Sequence, residues 1–219
     1  CGFFYAAPAS IFEVAMGAAV LPLAHEIDPQ TFLPSSRSVA LRTAAARRVG
    51  GYPEWLDYCE DLIFDLRLKQ SGARFAFVPQ AAVAFQPRSS LRAFFIQYYR
   101  YARGDGKADL WRKRHVIRYL TYLVAAPLLL GLGIGAHPIF LLLLALGALV
   151  YMASGWRRLP AVMQRAPQRS WLVWLQAIAL VPIIRVLGDL AKMIGYPVGW
   201  RWRLQQRPPD WRWNSRQAS

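Results

Sequence analysis

The longest apolar run in the chain extends from Tyr119 to Trp156 and contains no Asp, Glu, Lys or Arg. As one helix it would reach about 57 Å at ~1.5 Å per residue, nearly twice a hydrocarbon core of about 30 Å. It is interrupted by GLGIGAHP, residues 131–138, so the pattern predicts two spans, 117–134 and 138–155, joined by a tight turn. The next apolar stretch, SWLVWLQAIALVPII, is short before Arg185 interrupts it. Residues 171–194 therefore read as an interfacial helix, a re-entrant one or a third span. Within them Arg185 and Asp189 are four apart and can pair on one helix face.

The first half has a different rhythm. RSVAL reads as a short strand and TAAARRVGG as a helical turn stopped at Gly50–Gly51. A helix is predicted from Glu60 to Gln70, ended by Ser71–Gly72. ARFAFV alternates like a strand, Pro79 breaks it and AAVAF resumes. The segment PRSSLRAFFIQYYRYARG then reads as an amphipathic helix near 90–103, capped by Ser89 or Ser90, with Gln97 and Arg100 on a common face. The expected organisation is a soluble α/β part over 1–110, a membrane module over 111–199 and a basic tail over 200–219.

Charge sharpens this division. The net charge is +15, and of the 27 Lys and Arg residues 15 lie beyond residue 110, where the only acids are Asp189 and Asp210. The basic excess thus belongs to the apolar half, which suits a module facing anionic lipid and argues against nucleic-acid binding. Basic segments flank both outer ends of the predicted hairpin, WRKRHVIR before it and WRRLPAVMQRAPQR after it. The positive-inside rule places both on the cytoplasmic side of a multi-pass inner-membrane protein. The opening CGFFYAAPAS lacks an initiator Met and a basic lead-in, and is expected to continue a longer chain. Cys59 is a poor nucleophile beside Glu60, because carboxylate neighbours raise a thiol's pKa. His25, His115 and His137 have no ligand spacing.

The acids of YCEDLIFDLRLKQSG carry the candidate chemistry. At the start of a helix, Glu60 and Asp61 are favoured simply by the free N–H groups and the dipole; a working carboxylate is the sharper alternative. Asp65 and Lys69 are spaced for a surface ion pair. Over residues 30–110 the series Arg42, Gly50–Gly51–Tyr52, Glu60–Asp61, Gly72, Val78–Pro79 and Gln97-Tyr98-Tyr99-Arg100-Tyr101 resembles the acceptor-side half of family 2 glycosyltransferases. Tyr101 stands where that family's Q-x-x-R-W element has Trp.

The resemblance implies the acceptor-side part of a GT-A-like domain followed by a membrane hairpin. It also implies a nucleotide-sugar donor, a lipid or lipid-linked acceptor, and transfer with inversion. Asp61 becomes the general base with Glu60 beside it. Gln97, Arg100, Tyr101, Arg103 and Arg37 become candidates for binding diphosphate or acceptor. A divalent metal, Mg or Mn, is implied as well, with D-x-D ligands upstream of Cys1 and none within 1–219. The family's His after the v-P strand has no counterpart in AAVAFQPR. A non-enzymatic membrane scaffold or export subunit is the competing class; it leaves the ordered motif series unexplained.

Overall fold

The computed structural model describes residues 1–212. Helices dominate. Among the described residues the strands are β1 (Phe3–Ala6) and β2 (Ala82–Phe85), paired in parallel with Phe3 opposite Ala82. Two expected strands are absent as such, and the reason is the lack of a ladder partner. RSVAL meets the chain at Ser38, whose carbonyl accepts from Gly2 N–H at 2.8 Å. ARFAFV meets it only at Cys1, which donates to the Ala76 carbonyl at 2.8 Å and accepts from Val78 N–H at 2.8 Å. Alternation alone does not make a strand without a neighbour to satisfy its backbone. The α/β expectation is met only in this reduced form.

The helices are α1 (Ile11–Val20), α2 (Thr43–Arg48), α3 (Glu60–Gln70), α4 (Leu91–Ala108), α5 (Arg112–Leu120), α6 (Ala126–Gly135), α7 (Ile139–Met163) and α8 (Trp171–Gln206). A π-helical stretch, Thr121–Ala125, joins α5 to α6. Ser10, Ser90 and Ser170 cap α1, α4 and α8 with their hydroxyls, which supplies acceptors for otherwise unpaired N–H groups. After α2, Gly50 and Gly51 take φ values of 76° and 68°. Two successive left-handed residues explain the need for the double glycine.

Three helical stretches are long and apolar enough to cross a membrane: Arg112–Gly135, Ile139–Met163 and Trp171–Gln206. The last is continuous through Pro182 and Pro197, and residues 200–206 extend it rather than begin a separate tail. Past its end the chain returns to the end of α4, where Trp211 is buried and donates through Nε1 to the Ala108 carbonyl at 2.6 Å. The rest of the expected tail, residues 213–219, lies outside the described residues.

Helix α8 is bound chiefly to α4 and α1. The main core joins Val14, Ala15 and Ala18 of α1, Phe94 of α4, Leu159 and Val162 of α7, and Ala177, Val181 and Ile184 of α8. Further along, α4 and α8 run side by side, parallel, in backbone contact. A Cβ placed on Gly199 would stand 1.9 Å from the Arg103 carbonyl oxygen, and one on Gly195 2.2 Å from that of Tyr99. Alanine normally favours a helix interior over glycine by about 1 kcal/mol, but here the clash is with backbone that has no rotamer to give. Gly199→Ala is expected to destabilise the protein by about 1–3 kcal/mol, read as a lower unfolding temperature in detergent. Gly147→Ala, where an added Cβ meets nothing within 4 Å, is expected to leave it unchanged or slightly raised.

Candidate active site

Helix α3 starts abruptly. Its N-cap residue, Cys59, has φ 66° and ψ 15°, a left-handed conformation that a non-glycine residue holds only when its surroundings enforce it. The enforcement is visible: the Cys59 thiol lies against the Tyr101 carbonyl at 3.3 Å and Asp105 Oδ1 at 3.6 Å. Burial, reinforced by Asp105, pushes this thiol far above its usual range, so it remains an unreactive thiol. This turn aims the first residues of α3, Glu60 and Asp61, into a cavity of about 640 Å³ between α3 and α4.

Asp61 lines that cavity and is fixed at both oxygens. Its Oδ1 accepts from the Leu62 N–H at 2.8 Å and its Oδ2 from the Ser36 hydroxyl at 3.2 Å. Opposite, α4 presents Gln97, Arg100 and Tyr101, which an i, i+3, i+4 spacing puts on one face. Gln97 donates through Nε2 to the Tyr101 hydroxyl at 2.7 Å, and Arg88 Nε donates to Gln97 Oε1 at 3.2 Å. Arg100 Nη1 donates to the Tyr58 hydroxyl at 2.9 Å. Arg37 reaches the same cavity from its loop and stacks over Phe85, 5.1 Å from the ring centre. The cavity thus has an acidic wall at Glu60 and Asp61 facing a basic one at Arg88 and Arg100.

Arg103 departs from the expected group. It lies outside the cavity lining and pairs with Asp57, which also accepts from Lys107 Nζ at 2.7 Å. Although burial alone would raise it, the Asp57 carboxyl is held below its usual range by Lys107 and Arg103. The trio braces the loop before α3 against α4.

Asp65 is the second departure. It is 4% exposed, and among the described residues its Oδ2 has no hydrogen-bond partner. Lys69 bonds instead to the Gln30 carbonyl at 3.2 Å, so the expected surface pair does not form. One turn places Asp65 on the inward arc of α3, beside Phe64 and Leu68. Burial, with Asp61 nearby, raises its pKa from 3.8 to about 7.

For a carboxyl raised in the folded state, the unfolded chain releases the proton first. The folded protein therefore binds more protons between about pH 4 and 7, and stability falls as pH rises through that window. A tenfold difference in proton affinity between the two states is worth about 1.4 kcal/mol, enough to show in thermal melts. Asp65→Asn is expected to flatten that slope and to be more stable than wild type at pH 8.

Several site residues escaped the sequence reading. Arg88 and Tyr58 belong to the cavity, as does Ser36. Arg88 precedes the α4 cap and carries no periodic signal, while Tyr58 and Ser36 lie in loops. Among the described residues no group of three His, Cys, Asp or Glu side chains is placed to hold a metal ion.

The family model described as glycosyl transferase family group 2 matches residues 21–184. The succinoglycan biosynthesis protein ExoA of Rhizobium meliloti (strain 1021) is 34% identical over 92 residues, which is 42% of this chain and 28% of that protein. The match thus spans less than a third of the relative's length. No solved structure matches. Since the family model covers well over half of the sequence, the chain belongs to glycosyl transferase family group 2.

Proposed function

We propose that the chain forms the acceptor side of a membrane glycosyltransferase that moves a sugar, with inversion, from a nucleotide-sugar to a lipid or lipid-linked acceptor. The observation that carries this is the meeting of Glu60–Asp61 and Gln97–Arg100–Tyr101 across one cavity. An inverting transfer needs a base on one side of the acceptor hydroxyl and positive charge toward the departing diphosphate.

Asp61 takes the hydroxyl proton as that oxygen bonds to the anomeric carbon. The bond from the anomeric carbon to the diphosphate breaks, and its electron pair stays on the diphosphate oxygen. Arg100 and Arg88, with planar guanidinium groups, offset the charge that develops there. Tyr101, held by Gln97, offers an aromatic face to the acceptor. Glu60 completes the acidic wall, and Arg37 borders the cavity. The Mg or Mn ion implied by the family would take D-x-D ligands outside residues 1–219.

Three features support a location at the cytoplasmic face of the inner membrane. Basic residues flank both ends of the α5–α7 hairpin, which favours that side. Helix α4 carries site residues on one face. Helix α8 lies parallel to α4 with Leu172, Leu175, Ile183, Leu190 and Ile194 exposed along its length, as suits a helix lying in the interface.

The test is a transfer assay with the full-length protein in membranes, using labelled nucleoside-diphosphate sugars. Label moving into the organic-extractable fraction is the expected result. Label found only as free sugar, for every donor tried, contradicts the acceptor assignment.

A further inference from the structure

The left-handed turn that starts α3 is held from other helices. The Cys59 thiol lies between two acceptors one turn apart on α4, the Tyr101 carbonyl and Asp105 Oδ1. The turn is also seated in a gap. A Cβ on Gly104 of α4 would stand 2.6 Å from the Tyr58 carbonyl oxygen and 2.8 Å from Cys59 Sγ.

The second oxygen of Asp105 meets His115 Nε2 of α5 at 3.3 Å. His115 is fixed in turn: it is 3% exposed, and its ring stacks on Tyr196 of α8 with centres 3.9 Å apart. Arg118 Nη1 lies 3.1 Å from its Nδ1. A guanidinium can only donate, so Nδ1 accepts, the proton sits on Nε2, and His115 is a neutral donor to Asp105. Arg118 is itself anchored by Asp189 of α8 at 2.7 Å. A line of largely buried polar contacts thus runs from Cys59 through Asp105, His115 and Arg118 to Asp189.

A helix start does not require this. Ser10, Ser90 and Ser170 cap their helices from extended backbone with their own hydroxyls. At α3 a left-handed non-glycine residue takes that place, directly before Glu60 and Asp61. Such a conformation persists only where its surroundings over-determine it, and here the surroundings are α4 and α5.

We propose that Asp105 and His115 are positioning residues for the transfer. They hold Cys59 in its left-handed conformation and so fix the direction in which Asp61 leaves the start of α3. Neither touches the reacting atoms. Because His115 and Arg118 belong to α5, at the head of the first long apolar stretch, the aim of the acid depends on how α5 is seated against α8. The proposal rests on the reading of Asp61 as the base.

The test uses the full-length protein and two readouts. One is the kinetics of transfer. The other is hydrogen exchange at the Ile63 N–H, which donates to the Cys59 carbonyl at 3.1 Å and reports the helix start without turnover. Three variants loosen the line at different points: Asp105→Asn; His115→Phe, which keeps a ring against Tyr196; and Cys59→Ala, which keeps the strained backbone and loses the thiol. Each is expected to lower kcat about tenfold, the order by which a non-glycine residue is disfavoured in the left-handed region. KM should stay nearly unchanged, as befits placement rather than binding, and exchange at Ile63 should quicken in the same proportion.

Glycine takes this conformation without strain. Adding Cys59→Gly to Asp105→Asn is therefore expected to restore most of kcat and to slow exchange at Ile63 again, a repair that general damage to the packing would not show. A loss of kcat that Cys59→Gly does not repair overturns the proposal. So does wild-type kcat in all three variants beside an inactive Asp61→Asn. Should Asp61→Asn itself keep its transfer rate, the base assignment falls, and exchange alone decides the positioning of the α3 start. Quickened exchange in Asp105→Asn that glycine repairs then supports it, and unchanged exchange overturns it.

Discussion

Asp61→Asn in the full-length protein is expected to lower the rate of transfer by about 10²–10⁴ while leaving donor and acceptor binding nearly intact. The substitution keeps the shape of the side chain and removes its basicity. The hydrogen bond from Ser36 to Oδ2 and that from the Leu62 N–H to Oδ1 fix an acid whose position is set by the scaffold, and an amide can occupy the same place. The loss should therefore fall on kcat rather than on KM, as expected for an interaction used in the transition state. Glu60→Gln, at the adjacent position, is expected to cost less, because among the described residues Glu60 has no comparable set of fixed contacts. A kcat within a few-fold of wild type in Asp61→Asn would leave Asp61 as a helix-start acid only.

The second large effect concerns Asp189. It is 8% exposed and holds three elements at once: Arg118 of α5, Tyr122 of the π-helical stretch and Tyr151 of α7. Asp189→Ala removes the carboxylate paired with Arg118 and leaves that largely buried guanidinium without its counter-charge. Removing one partner of a buried ion pair typically costs about 3–5 kcal/mol. A comparable loss of stability is expected, measured as a lower unfolding temperature in detergent and faster proteolysis between α6 and α7. Arg118→Met combined with Asp189→Leu is expected to recover part of the loss, since an apolar pair avoids the stranded charge. A double variant no better than Asp189→Ala would show that the two hydroxyl contacts, rather than the ion pair, carry the effect.

The parts of this molecule that were legible in the sequence are those set by local rules. Ser90 before an aromatic-rich amphipathic run announces α4, and Gln97, Arg100 and Tyr101 follow from its period. Glu60 and Asp61 sit at a helix start because that is where acids are stabilised. The charge-free run and its Gly-rich break mark a helical hairpin.

What stayed hidden depends on partners distant in the chain. Asp65 and Lys69 have the spacing of a surface pair, yet the face that α3 buries is decided by the elements packed around it. Asp189 has a local partner four residues away in Arg185 and pairs instead with Arg118, 71 positions distant. Arg103 looked like a site residue until Asp57, in a loop, claimed it. The close contact of α4 with α8 had a visible signal that composition obscures: Gly188, Gly195 and Gly199 share one helix face at intervals of seven and four residues. Small residues so spaced let two backbones approach.

The central claim is that the cavity between α3 and α4 receives the acceptor, with Asp61 poised to deprotonate it. The most direct measurement is a structure of the full-length protein with an unreactive nucleoside-diphosphate sugar bound. An acceptor hydroxyl must lie about 3 Å from the carboxylate and about 3–3.5 Å from the anomeric carbon. The account predicts an anomeric carbon opening onto this cavity, at most about 6 Å from Asp61, the sum of those two contacts being the upper bound, with Arg88 or Arg100 turned toward the diphosphate. An anomeric carbon that faces another surface, with Asp61 more than one sugar ring away, would contradict it.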